Sequence, residues 1–212
     1  MNKVTKSNLS SVYWLGGSTC AGKSTISSIL SETYGFTVYH CDEHLWKHIE
    51  KSNTKEHPHL SKGALLSLDD ILGMSEDEYL SWIIDLHTEE YSMILDDLDK
   101  LSAEKPILVE GVNLLPKLIK NEIVNSNNAV WLVADEEFYK THQMQRNEMF
   151  DRVNKCSNPE QALHSYMNFD LAYGKYIRKE ANRLELEVLV VEKDCDMMKN
   201  VRLISSHFRL NY

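Results

Sequence analysis

The strongest chemical signature in the chain is Gly16–Thr25, which reads GGSTCAGKST. Within it Gly17, four intervening residues, Gly22, Lys23 and Ser24 complete a phosphate-binding loop pattern. Glycines let such a loop turn tightly enough to aim successive N–H groups at phosphate oxygens. Ser18, Thr19, Cys20 and Ala21, between the glycines, and Thr25 just beyond, belong to the same anion cradle. Lys23 is placed to reach the β- and γ-phosphates of ATP, and the Ser24 hydroxyl to ligate Mg²⁺. An apolar run precedes the loop and a helical pattern follows it, so a phosphate would meet a helix N-terminus. The bland alternative is an ordinary strand–turn–helix corner with a chance Lys-Ser pair.

Three further groups could complete a transfer site. Cys41-Asp42-Glu43-His44 follows the second apolar run, where open α/β sheets bind ligands. Asp42, first off that strand, is the candidate base or acceptor ligand, and His44 a candidate acceptor contact. A solvated acidic turn is the competing reading. Ile107–Gly111 (ILVEG) ends an apolar run in Glu110, which suits orienting a Mg²⁺-bound water, while Gly111 would let backbone approach an acceptor. Arg146 and Arg152, in THQMQRNEMFDRV, could close over a migrating phosphoryl group. Surface pairing with Glu148 or Asp151 is their alternative.

The elements needed to hold these groups can be read from hydrophobic patterning. Continuous apolar runs at Ser11–Leu15, Phe36–His40, Pro106–Val109, Ala129–Ala134 and Val188–Val191 predict parallel strands covered on both faces. Helical spacing predicts helices over Lys23–Thr33, Glu76–Leu98, Glu136–Val153, Pro159–Glu185 and Met197–Phe208. Ser75 and Glu78 have capping-box spacing at the front of the second of these. Leu45–Ser75 and Asn147–Asn158 fit the alternation poorly and are expected to be movable pieces over the site. Strand–helix alternation implies right-handed crossovers and a three-layer α/β domain.

Composition narrows the function classes. The 212 residues carry 23 Lys and Arg against 32 Asp and Glu, a net charge of −9. That disfavours a general nucleic-acid or anionic-membrane binder and leaves a small-molecule partner. The opening MNKVTKSNLSSVYWLGG lacks the apolar core of a secretion signal. The 4 cysteines form no C-x-x-C pair, so a reducing, cytoplasmic setting is expected, as a monomer or homodimer. His57-Pro58-His59 lacks acidic or thiol partners at ligand spacing, and Arg178 and Arg183 read as a solvated helix face.

Taken in order, strand–GGSTCAGKST–helix–strand–HCDEHL, then ILVEGVNLLP, an Arg-bearing segment and a last strand, the chain resembles the small P-loop kinases. This is the nucleoside-monophosphate-kinase-like branch, with shikimate, gluconate and uridine kinases and antibiotic phosphotransferases, and the chain looks closest to uncharacterised bacterial members. The resemblance implies a five-stranded parallel sheet in order 2-3-1-4-5, an ATP–Mg²⁺ donor and a hydroxyl- or phosphate-bearing acceptor. It also implies one kinase domain over residues 1–212, with residues 45–105 a helical substrate-binding region and 140–170 a lid. Neither the Pro-Gly-rich loop nor the Gly-x-Pro-Arg lid signature of adenylate kinases is present. A GTPase-like switch is the competing class: Asp70–Gly73 fits D-x-x-G, but no Asn-Lys-x-Asp reads guanine. A regulatory nucleotide-binding module with no small acceptor is the third.

Overall fold

The protein is described from a computed structural model, which covers residues 9, 11–101, 104–123 and 125–210. Residues 1–8, read above for a secretion signal, lie outside the described residues, as do 102 and 103 of the expected substrate-binding region. The order of elements is β1 (Val12–Gly17), α1 (Lys23–Tyr34), β2 (Thr37–His40), α2 (Cys41–Lys51), α3 (Pro58–Gly63), α4 (Leu68–Leu72) and α5 (Glu76–Leu98). It continues with β3 (Ile107–Glu110), α6 (Pro116–Glu122), β4 (Ala129–Ala134), α7 (Glu136–Gln143), α8 (Asn147–Val153), α9 (Pro159–Arg183), β5 (Glu187–Val191) and α10 (Met197–His207). Among the described residues no helix is long and apolar enough to cross a membrane.

All five strands are parallel, in the order β2-β3-β1-β4-β5. The strands are apolar on both faces because both are covered. Val12 and Trp14 of β1, and Ala129, Trp131 and Val133 of β4, join one core with Tyr91, Ile94 and Ile177 of α5 and α9. The intervening Leu15, Val130 and Leu132 join the other core with Ile26 and Leu30 of α1 and Ile204 of α10. This period-two partition makes three layers, and it fixes the register, since a one-residue slip would exchange the two cores.

Register also aligns the strand ends where chemistry is expected. His40 ends β2 beside Glu110, which ends β3 beside Leu15 of β1. Beyond Leu15 the chain passes Gly17, whose φ is +133° and where a Cβ would fall 1.8 Å from the Leu132 carbonyl oxygen. Only glycine lets the loop leave the sheet so close to β4.

Two helix expectations are corrected. The predicted helix over Glu136–Val153 is two helices, broken at residues 144–146, where Arg146 takes an extended backbone (φ −92°, ψ 106°). Leu45–Ser75 is not irregular: it holds most of α2 and all of α3 and α4. Helices of five or six residues complete too few turns to show a period in sequence. The long α5 matches its predicted bounds, and Ser75 and Glu78 exchange both capping-box hydrogen bonds.

Candidate active site

A cleft of about 840 Å³ opens at the carboxyl ends of the strands. Its floor is the loop between β1 and α1, with Thr19–Thr25 all lining it. Gly17 and Ser18 lie beneath: the Ser18 hydroxyl accepts from the Ala134 N–H at 2.9 Å, and its N–H donates to the Leu132 carbonyl. These bonds pin the loop to β4 and leave the following amides to the cleft. Cys20 holds a left-handed φ of 62°, rare for a side-chain-bearing residue. Its side chain does more than fill space in the cradle: its Sγ donates to Gln143 Oε1 at 2.7 Å and accepts from Arg146 at 3.6 Å.

Lys23 is 7% exposed, and its ammonium donates to the Ser18 carbonyl at 2.8 Å. Burial lowers its pKa, opposed by Glu110 and Asp42 nearby. The Ser24 hydroxyl donates to Glu110 Oε1 at 3.1 Å, and His40 Nδ1 lies 2.7 Å from the same oxygen. Oxygen donors from a hydroxyl and a carboxylate at the foot of a phosphate loop are the set Mg²⁺ prefers, so the residues fit that ion. His40 was not anticipated; its signal was a strand end in register with Glu110.

Asp42 lies in the first turn of α2 and opens into the cleft. Packing of protein around that recess raises its pKa, partly offset by Lys23. His44, proposed as an acceptor contact, does not reach the cleft. Two residues turn a helix by roughly 200°, so His44 faces the side opposite Asp42. There its ring stacks on Tyr39 at 4.3 Å and Nδ1 lies 3.7 Å from Asp97. Gly111 likewise meets protein: a Cβ there would fall 2.4 Å from Asn113 Oδ1 and 2.7 Å from Cys41 Cβ. Its lack of a side chain serves close packing of β3 against α2.

Behind Asp42 lies a buried polar cluster that the sequence did not announce. Glu90 is fully buried, 3.1 Å from His48 Nδ1, and accepts from Asn113 Nδ2 at 2.8 Å. Burial alone would raise its pKa, but hydrogen bonds with His48, His87 and Asn113 hold it at about 2. His48 Nε2 reaches Asp97 at 3.1 Å, and His87 closes the cleft wall in front of Glu90. Across the cleft, Asp170 on α9 accepts from Thr19 Oγ1 at 3.2 Å and Tyr139 at 2.8 Å. Burial lifts its pKa to about 6 despite these bonds.

Arg146 and Arg152 both line the cleft. Arg146 is placed by the break between α7 and α8; its contact with Glu148 is a loose 3.9 Å, so surface pairing does not hold it. His59 pairs with Glu89 at 2.7 Å, an acid brought from α5 rather than one at ligand spacing in the sequence, and sits outside the cleft. Asp70 of the D-x-x-G match is spent on capping α4, accepting from the Ser67 N–H and hydroxyl.

The loop at the end of β1, its lysine buried at the start of α1, and the 2-3-1-4-5 parallel order occur together here. The chain has the P-loop NTPase fold. TT1252 from Thermus thermophilus has a similar structure, with a TM-score of 0.53 at 15% identity over 95% of this chain and 98% of that one. A deoxyadenosine kinase from M. mycoides, with bound dATP, matches at TM-score 0.47 and 16% identity, over 93% and 98% of the two chains. Shikimate kinase from Acinetobacter baumannii, in complex with shikimate, matches at 0.45 and 18%, over 98% and 100%. No family model matches the chain, and no curated protein matches it in sequence.

Proposed function

We propose that the protein is a phosphotransferase that moves the γ-phosphoryl group of Mg-ATP to a small hydroxyl- or phosphate-bearing acceptor. The observation that carries this reading is one cleft that contains both a P-loop lysine and, facing it, the carboxylate of Asp42. In this reading the loop amides and Lys23 hold the triphosphate. Ser24 and Glu110 would hold Mg²⁺, which neutralises charge on the β- and γ-phosphate oxygens.

Asp42 orients the acceptor hydroxyl and takes its proton. As the acceptor oxygen bonds to the γ-phosphorus, the bond from that phosphorus to the β,γ-bridging oxygen breaks. The electron pair leaves with ADP. Arg146 and Arg152 meet the charge spread over the moving group. Water must be kept out, or ATP is hydrolysed without transfer. We assign that task to residues 140–170 as a lid and to residues 45–105 as the acceptor-binding region, within one kinase domain.

Calorimetry with ATP and magnesium, followed by a screen of acceptors for ATP consumption, tests the reading. Heat of binding with acceptor-stimulated turnover supports it. No binding of any purine triphosphate removes it.

A further inference from the structure

The walls of the cleft differ sharply in charge. Among the described residues, the lysine and arginine side chains that line it are Lys23, Arg146 and Arg152. Lys23 and Arg146 gather at the P-loop end, where Arg146 reaches Cys20 and Asp170 binds Thr19, while Arg152 stands on α8, whose next residue Val153 packs with Leu72 and Phe169. From Asp42 outward the walls change character. Helix α5 contributes Tyr79, Trp82, Ile83 and His87, whose spacing puts them on one face. From His87 to Tyr79 that stripe runs about 12 Å. Helix α4 adds Leu68, Ile71 and Leu72 on one face, and α9 adds Phe169 and Tyr173.

The polar tips on these walls are partly committed to protein. The Trp82 indole N–H donates to the His59 carbonyl at 3.4 Å, and the Tyr173 hydroxyl to the Val112 carbonyl at 2.7 Å. Tyr79 lies flat against Phe169, ring centroids 4.3 Å apart and planes within 9°. A polyol would lose hydrogen bonds to water here without replacing them. Along α4, α5 and α9 a carboxylate or phosphate would find Glu90 behind His87 and, among the described residues, no lining lysine or arginine. A flat apolar ring would find aromatic faces and about the right depth.

We infer that the acceptor is an uncharged, ring-bearing alcohol, its hydroxyl at Asp42 and its ring along the α5 stripe between α4 and α9. This rests on the phosphotransferase reading and narrows it: hydroxy acids, sugar acids and nucleoside monophosphates are disfavoured by the wall itself.

The probe is a matched pair, 2-(1-naphthyl)ethanol and 1-naphthylacetate, which share a ring and differ in charge. Each is titrated calorimetrically into the full chain, with and without magnesium and the non-hydrolysable analogue adenylyl imidodiphosphate. The alcohol is expected to bind at least tenfold more tightly than the acid in both series. Ile83→Lys, checked for folding by circular dichroism, is expected to narrow or invert that ratio. Equal or tighter binding of the acid to the wild-type protein, or binding of neither probe, overturns the inference. Failure of the nucleotide analogue to bind instead removes the phosphotransferase reading, while the nucleotide-free series still reports the preference of the wall.

Discussion

Ser24 donates its hydroxyl to Glu110 Oε1 across 3.1 Å, tying the first turn of α1 to the last residue of β3. His40 holds the same carboxylate oxygen from the neighbouring strand at 2.7 Å. Glu110 is thus fixed from two sides, at 6% exposure, where a proposed Mg²⁺ would sit beside Ser24. Glu110→Gln keeps the shape and removes the charge. The magnesium concentration for half-maximal turnover should rise about tenfold to 100-fold, as for other groups that orient metal ligands. An unchanged magnesium dependence would detach Glu110 from the ion.

Lys23 and Asp42 share the cleft and have separable tasks in the proposed reaction. Lys23→Ala should abolish measurable nucleotide binding, because no other ammonium lies within the loop. Asp42→Asn should leave nucleotide affinity nearly intact and lower turnover by about 10²–10⁴, the usual worth of a positioned base. Calorimetry and a coupled ADP assay read the two effects. Equal loss of nucleotide affinity in both variants contradicts the division of roles.

Arg146 and Arg152 meet the cleft from the segment between α7 and α9, and among the described residues neither is locked in a short ion pair. An arginine that meets transition-state charge contributes about 10³–10⁵ in rate. Single alanine variants should therefore lower turnover far more than nucleotide affinity, with the larger effect marking the residue that touches the migrating group. Unchanged rates in both return these side chains to the surface.

How much of this was legible in the sequence follows from how locally each feature is encoded. The P-loop is contiguous and its pattern specific, so Gly17 to Thr25 could be read directly. The strands were legible because burial on both faces writes unbroken apolar runs, and α5 because 23 residues give six turns of period. His44 was misplaced because proximity to Asp42 in sequence says nothing about which helix face it occupies. His40, Glu90 and Asp170 were missed because the hydrogen bonds to Glu110, to His48 and Asn113, and to Tyr139 and Thr19 that fix them reach 23 to 151 residues away. An acidic residue within a helix reads as surface until the fold supplies what buries it.

Asp170 gives a test of the fold that needs no acceptor. Its pKa is about 6 in the folded chain against a usual 3.8, because burial penalises the carboxylate more than Tyr139 and Thr19 help it. Between those values the folded protein holds more protons than the unfolded one, so stability falls as pH rises. The cost is absent near pH 4 and complete above about pH 6. Asp170→Asn cannot ionise and still offers an oxygen to Tyr139. Relative to the wild type, the variant should gain about 1–2 kcal/mol at pH 8 over its standing at pH 4, a figure reduced for the partial exposure of this side chain. Urea unfolding of both proteins at the two pH values, without nucleotide, measures the difference. A stability difference that does not change with pH would mean that the Asp170 carboxylate is as well accommodated in the folded chain as in water.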